Sequence, residues 1–207
     1  MKNEILKKII QCPLDKSQYY QGKYTKKQIV LHHTASNGNA KNVITGWKES
    51  PQKIGVAFVI DGDGTIHQAF SSTHWAHHLG VHEKNNRVLN QQSIGIEICN
   101  WGPLSFTEGK YFNYLNQEIP GDEVVGYFQK FRGSFYYQRY SEKQLESLKE
   151  LLNYLCETYG IPKTYNADMW GFSKSALEGK SGIYSHVSFR KDKSDCHPQK
   201  ELIEKLK

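Results

Sequence analysis

The stretch 185–198 gathers His186 and His197, Lys191 and Lys193, and three groups able to bind a metal as anions, Asp192, Asp195 and Cys196, before Pro198 ends it. Imidazole nitrogen, carboxylate oxygen and thiolate are the ligands that zinc takes, and a catalytic zinc has three protein ligands and one open position. His186 with Asp195 or Cys196 supplies two of the three. The third must come from elsewhere in the chain. The plain alternative is a solvated basic loop that happens to hold a histidine, because a motif stands or falls with its structural context.

The apolar run at 29–33 reads as a buried strand that ends on His32 and His33. Neighbours in a strand point to opposite faces, so only one of these two rings can reach a metal. A second strand at 93–100 places Ile94, Ile96 and Ile98 on one face and Gly95, Glu97 and Cys99 on the other. An acid set opposite three isoleucines suits a cleft better than a surface ion pair. His74, His77, His78 and His82 form another histidine group, which could be a metal site of its own.

The rest of the chain must position these residues. Its 207 residues fit one α/β domain. At 38% hydrophobic and 13% aromatic it has the material for a core, and disorder is not expected. The segment 1–28 reads as a short helix and an irregular lead-in, 34–39 as a loop, and a helix follows through Val43, Ile44 and Trp47 up to Pro51. Residues 56–60 and 65–69 read as a hairpin, whose Asp61-Gly62-Asp63-Gly64 link is a turn and lacks the remaining ligands of a calcium loop. The clearest helix spans 141–159, with a capping box of Ser141 and Gln144 and an apolar face of Leu145, Leu148, Leu151, Leu152 and Leu155. A short strand at 182–186 delivers His186, and a last helix covers 201–207. Residues 101–140 are rich in aromatics without clear periodicity and read as a long loop or insertion. Their rings could stack on sugars, but covering the sheet is the preferred reading.

The net charge of +6 suits an anionic partner such as a cell wall. The lysines are scattered and no nucleic-acid motif appears, so no nucleic-acid partner is expected. No signal-peptide pattern and no stretch of transmembrane length is seen, so a cytoplasmic location without a membrane partner is expected. Cys12, Cys99, Cys156 and Cys196 have no metal or redox spacing and read mostly as small buried side chains.

Taken in order, the runs at 29–35 and 93–97 and the set His186, Lys193, Ser194 and Asp195 resemble the type-2 N-acetylmuramoyl-L-alanine amidases. That family includes phage amidase endolysins, cytoplasmic anhydromuropeptide amidases and peptidoglycan recognition proteins. The resemblance covers residues 28–207, with 101–140 as an aromatic-rich insertion in a single catalytic domain spanning 1–207. It implies an α/β fold with a mixed central sheet flanked by helices and a zinc cleft at the strand ends. It also implies Zn2+ held by His32, His186 and a third ligand that the family supplies as Asp or Cys two residues after a catalytic lysine. Lys193 fits that lysine and points to Asp195. Cys196 is the rival, since many members carry Cys-Pro where this chain has Cys196, His197 and Pro198. Extended geometry favours Asp195, because residues 193 and 195 face the same way. Glu97 matches an acid that some members use. Others use a tyrosine where this chain has Val56, which raises the weight on Glu97. By the same resemblance His78, in a His-x-Gly pattern, lines the substrate cleft; Trp75 near it is a candidate sugar platform, and Asn100, just past Glu97, is a candidate contact for the peptide stem.

The implied activity is hydrolysis of the amide between N-acetylmuramic acid and L-alanine by a monomer. The substrate is intact peptidoglycan, with cell wall degradation after release by a phage holin, or a recycled anhydromuropeptide. The competing class is a recognition module that binds peptidoglycan without cutting it.

Overall fold

The computed structural model describes residues 2–36, 39–82 and 84–207. Asn37 and Gly38 of the expected 34–39 loop lie outside the described residues. In chain order, α1 (Lys2–Lys8) leads to β1 (Ile10–Gln11), β2 (Gln28–His33), α2 (Ala40–Gly46), β3 (Phe58–Ile60), β4 (Ile66–Gln68), α3 (Asn86–Gln92) and β5 (Ser93–Ile98). After a second, separate sheet come α4 (Glu142–Tyr159), α5 (Lys174–Leu177), β11 (Gly182–Ser185) and α6 (Lys200–Leu206).

The central sheet has the order β1-β4-β3-β5-β2-β11. Strands β3, β5, β2 and β11 run parallel. The hairpin turns β4 antiparallel to β3, and β1 joins β4 in parallel, so the sheet is mixed as expected. Parallel strands need cover on both faces. Along β2, Ile29 and Leu31 face one cluster with Ile94, Ile96 and Ile98 and with Leu145, Leu148, Leu151, Leu152 and Leu155 of α4. Val30 faces the other way, with Tyr184 of β11, Leu89 of α3 and Ala176 of α5. Burying each of these leucines contributes about 2 kcal/mol. The expected capping box opens α4: the Gln144 backbone N–H donates to Ser141 Oγ, and the Ser141 backbone N–H donates to Gln144 Oε1.

Lys26 fastens three pieces of this frame. It is buried, and its ammonium donates to the backbone carbonyls of His74, Gln91 and Ser93 at 2.8, 2.9 and 3.1 Å. Those three bonds use all the donors a lysine has. Lys26→Met would leave three carbonyls with poor or no partners, at a cost of about 1 kcal/mol or more each. Thermal unfolding should therefore show the midpoint falling by on the order of 10 °C for a chain of this length. An unchanged midpoint would mean that water reaches those carbonyls and Lys26 is dispensable.

The segment 101–140 is not a loop. It folds into β6 (Pro103–Thr107), β7 (Lys110–Phe112), β8 (Glu118–Ile119), β9 (Val124–Phe131) and β10 (Ser134–Gln138), an antiparallel sheet in the order β8-β7-β6-β10-β9. The expected irregularity is corrected for a physical reason: aromatics occupy both faces, which erases the alternation a half-buried strand should show. Phe106, Tyr111 and Tyr136 cluster on one side. Tyr127, Phe131 and Tyr137 cluster with His197 on the other. Tyr127, Phe131 and Tyr137 thus pack towards the segment that follows β11, while Tyr140, at the end of the same stretch, joins the core of the central sheet. No helix among the described residues is long and apolar enough to cross a membrane.

Candidate metal centre

Register places the chemistry. His32 of β2 pairs with Glu97 of β5, and Leu31 pairs with Ser185 of β11, so His186 stands one residue past the end of β11 and beside His32. These are the carboxyl ends of parallel strands, where open α/β sheets place their ligands. The hydroxyls of Ser185 and Ser188 both donate to the Met169 carbonyl, which turns the chain out of β11 into a short 3-10 helix, His186–Ser188. The Val187 backbone N–H then donates to the Asp195 carbonyl at 3.0 Å and closes the loop that returns Asp195 to His186.

His32 Nδ1 lies 3.0 Å from His186 Nδ1 and 3.3 Å from Asp195 Oδ2, and His186 Nδ1 lies 2.9 Å from the same oxygen. All three residues are buried, and among the described residues no other group of three histidines, cysteines or acids converges in this way. Burial first, and repulsion from His186 next, push His32 down to about 4, so its ring is neutral near pH 7. The outer nitrogens settle the tautomers. His186 Nε2 faces the Leu79 carbonyl at 2.9 Å, and a carbonyl only accepts, so Nε2 carries the proton and Nδ1 is bare. His32 Nε2 meets His78 Nδ1 at 3.0 Å, His78 Nε2 meets Ser93 Oγ at 2.8 Å, and Ser93 Oγ reaches the Asn90 carbonyl at 3.5 Å. Donation that ends on that carbonyl leaves His32 Nδ1 bare as well. Two bare nitrogens and a carboxylate about 3 Å apart repel one another unless a cation lies between them, and a two-nitrogen, one-oxygen set with its outer N–H groups already anchored suits zinc.

The three donors open on a cleft of about 620 Å³ that Glu97 and Lys193 also line. Glu97 Oε2 is enclosed and has no hydrogen-bond partner among the described residues. Burial, then the charge of Asp195, pushes this carboxyl well above its ordinary range, while Lys193 pulls it back. Gly95, two residues earlier on the same face, has no room for a side chain: a Cβ would lie 2.5 Å from Val56 Cγ1 and 3.1 Å from His78 Nδ1.

His33 points away, as strand alternation requires, and its Nδ1 meets the Tyr140 hydroxyl at 3.1 Å. Cys196 is fully buried beside the same hydroxyl, and burial followed by the Asp195 charge pushes its thiol well up. His78 lines the cleft, but both of its ring nitrogens are engaged, one by His32 and one by Ser93, so its role is to hold His32. Trp75 is no sugar platform. It is 3% exposed, stacked on Tyr20 at 4.0 Å with Arg87 over the ring at 5.9 Å. The indole that does line the cleft is Trp47. Asn100 does not reach a substrate either. It is buried, its Nδ2 donates to the carbonyls of Gln138 and Arg139, and its Oδ1 accepts from Gly102. His77 also lines the cleft and His82 is exposed, so the second histidine group makes no metal site of its own among the described residues. Ser93 and the Leu79 carbonyl carry no sequence signal for their anchoring roles, because only the fold brings them to the rings.

A family model of N-acetylmuramoyl-L-alanine amidases matches residues 22–198. No curated protein sequence matches the chain. Among solved structures, PlyL shares 17% identity at a TM-score of 0.58, covering 96% of each chain. The PlyG catalytic domain shares 18% at 0.57, covering 96% of this chain and 92% of its own. The hydrolase AmiA of Staphylococcus aureus, solved with its ligand, shares 15% at 0.51, covering 96% and 80%. At these identities the likeness is one of fold.

Proposed function

The chain belongs to the N-acetylmuramoyl-L-alanine amidase family, and on that premise we propose that it is a zinc-dependent hydrolase of the amide between N-acetylmuramic acid and L-alanine in peptidoglycan. The observation that carries this reading is the convergence of His32, His186 and Asp195 beside an unpartnered Glu97 carboxylate oxygen. These three residues would hold the zinc, which when bound supplies a Lewis acid for the amide carbonyl and for water.

The side chains do the rest. Glu97 takes a proton from the attacking water and returns it to the leaving amine of L-alanine. Its enclosed oxygen and the raised affinity for a proton fit both halves of that task. Lys193, which also lines the cleft, sets its ammonium against the negative charge that develops on the amide oxygen. His78 and the Leu79 carbonyl fix the two imidazoles, so little reorganisation remains at the moment of reaction. The cleft volume of about 620 Å³ admits a sugar–peptide junction, with Trp47 on its wall as the aromatic surface for a ring. The net charge of +6 suits an anionic wall.

The test is mass spectrometry of the products from purified sacculi and from free anhydromuropeptides, using protein with its metal content measured. We expect about one zinc per chain, stem peptides released with a free L-alanine amine, and loss of that release on chelation with recovery on adding zinc. Zinc-loaded protein that binds sacculi and releases no stem peptide would be a recognition module. Full cleavage by metal-free protein would remove the metal from the mechanism.

A further inference from the structure

The second sheet touches the catalytic segment at a point that no motif announces. Strands β9 and β10 pair Phe131 with Ser134, which leaves Arg132 and Gly133 as a tight turn. Both residues have positive φ, 45° and 91°. Such turns favour Asn, Asp or Gly, and a long side chain at the first position is disfavoured. The neighbouring hairpin has the same geometry at Glu108 and Gly109, φ 51° and 80°. Glu108 is exposed and makes no side-chain hydrogen bond among the described residues, whereas Arg132 is half-buried and reaches across to the other sheet's loop. Its Nη2 donates to the Val187 carbonyl at 2.9 Å and its Nη1 to the Lys191 carbonyl at 3.3 Å.

Those two carbonyls are well chosen. Val187 directly follows His186, and its own N–H donates to the Asp195 carbonyl at 3.0 Å. The peptide unit after Val187 therefore accepts from Arg132, while the one before it fixes Asp195. Lys191 lies two residues ahead of Lys193. A second tie runs from the same sheet: Tyr127 Oη meets His197 Nδ1 at 2.7 Å, and the His197 ring is stacked between Tyr137 and Tyr140 at 4.7 and 4.4 Å. His197 is two residues beyond Asp195. The sheet formed by 103–138 thus grips the segment that carries His186, Lys193 and Asp195 near both of its ends.

We propose that Arg132 is a positioning residue for the metal ligands, and that the second sheet serves as the brace through which it acts. The guanidinium is suited to this task because it is always charged and presents two donors in a rigid fork. The proposal rests on the zinc amidase reading above. It acts on the ligands' backbone and asks for no contact between Arg132 and substrate.

The test compares Arg132→Asn with Glu108→Asn in the full chain. Asn suits a positive φ, so each substitution relaxes its turn; at position 132 this offsets part of the hydrogen bonding lost, and the metal-free thermal midpoint of both variants should stay within about 5 °C of the wild type. Only Arg132→Asn removes the bonds to Val187 and Lys191. Its apparent zinc dissociation constant, read by competition with a chromophoric chelator, should rise by about tenfold, the usual scale for losing a group that orients ligands. Glu108→Asn should bind zinc as the wild type does, and Arg132→Lys, which can restore one donor, should fall between. Unchanged zinc affinity in Arg132→Asn overturns the proposal, as does a midpoint lowered in step with the affinity, which would make Arg132 a general stability residue. If the wild type binds zinc and cleaves nothing, the amidase reading fails and the affinity comparison still decides the role of Arg132. A wild-type chain that binds no zinc overturns both.

Discussion

Asp195→Ala should strip the zinc and abolish cleavage, while Cys196→Ser should leave both close to wild type. The two residues are adjacent, and one tetrahedral ion does not recruit both. Asp195 Oδ2 stands 2.9 Å from His186 Nδ1 and 3.3 Å from His32 Nδ1, on the side of the loop that faces the cleft. The Cys196 thiol is fully buried on the other side, beside the Tyr140 hydroxyl, and is held protonated by burial and by the Asp195 charge. A protonated thiol is no zinc ligand. Loss of a ligand should exceed the ~10–100-fold that loss of an outer partner costs. A serine at 196 retains the Tyr140 hydroxyl as a partner, so its penalty is confined to about 1 kcal/mol of stability. Zinc content by elemental analysis gives the first reading. Cobalt substitution gives the second, because thiolate ligation adds an intense charge-transfer band in the near ultraviolet and an all-nitrogen-and-oxygen site lacks it. If Cys196→Ser loses the metal and Asp195→Ala keeps it, the assignment is reversed, and Lys193 loses the spacing argument for its role.

The strand placements around this centre are legible from pattern, whereas the ligand set came with the family resemblance, and the residues show why. His32 and His33 sit at the end of an apolar run, and alternation separates them before any coordinates are known; His33 duly turns to Tyr140. The same alternation puts Glu97 opposite three isoleucines. The capping box and leucine face of α4 are local signals, and local signals survive folding. Trp75 and Asn100 show the limit. A tryptophan near a cleft motif looks like a platform, yet Tyr20, more than fifty residues earlier, covers it. Asn100 follows Glu97 in sequence, yet it serves the turn into the second sheet. Burial by distant segments is a tertiary fact with no local trace. The second sheet was hidden for another reason: its strands are aromatic on both faces, so no period emerges. Arg132 was hidden most completely, since its partners are backbone carbonyls, which every sequence has.

Glu97→Gln should keep the zinc and lose ~10²-fold or more in kcat, the usual scale for removing a general base. The substitution preserves shape and removes only the capacity to take a proton. Glu97 is not among the converging donors, so metal content should be unchanged, which separates this variant from Asp195→Ala. The environment explains why this acid is suited to the work. Oε2 is enclosed without a hydrogen-bond partner, so no protein donor competes for its lone pairs. Burial and the Asp195 charge raise its proton affinity, and Lys193 lowers it. A bound divalent ion adds to the pull of Lys193. The carboxyl is thereby poised between two opposing influences, able to accept a proton from water and then release it to the leaving amine. Val56, which also lines the cleft, has no proton to exchange. The measurement is kcat and KM for release of stem peptide from sacculi by the zinc-loaded variant. KM should move little, since Gln fills the same volume on the cleft wall. A kcat within about threefold of wild type would transfer the proton step to another cleft residue, and His77, a titratable side chain that lines the cleft and is not one of the metal-holding residues, would be the next to replace.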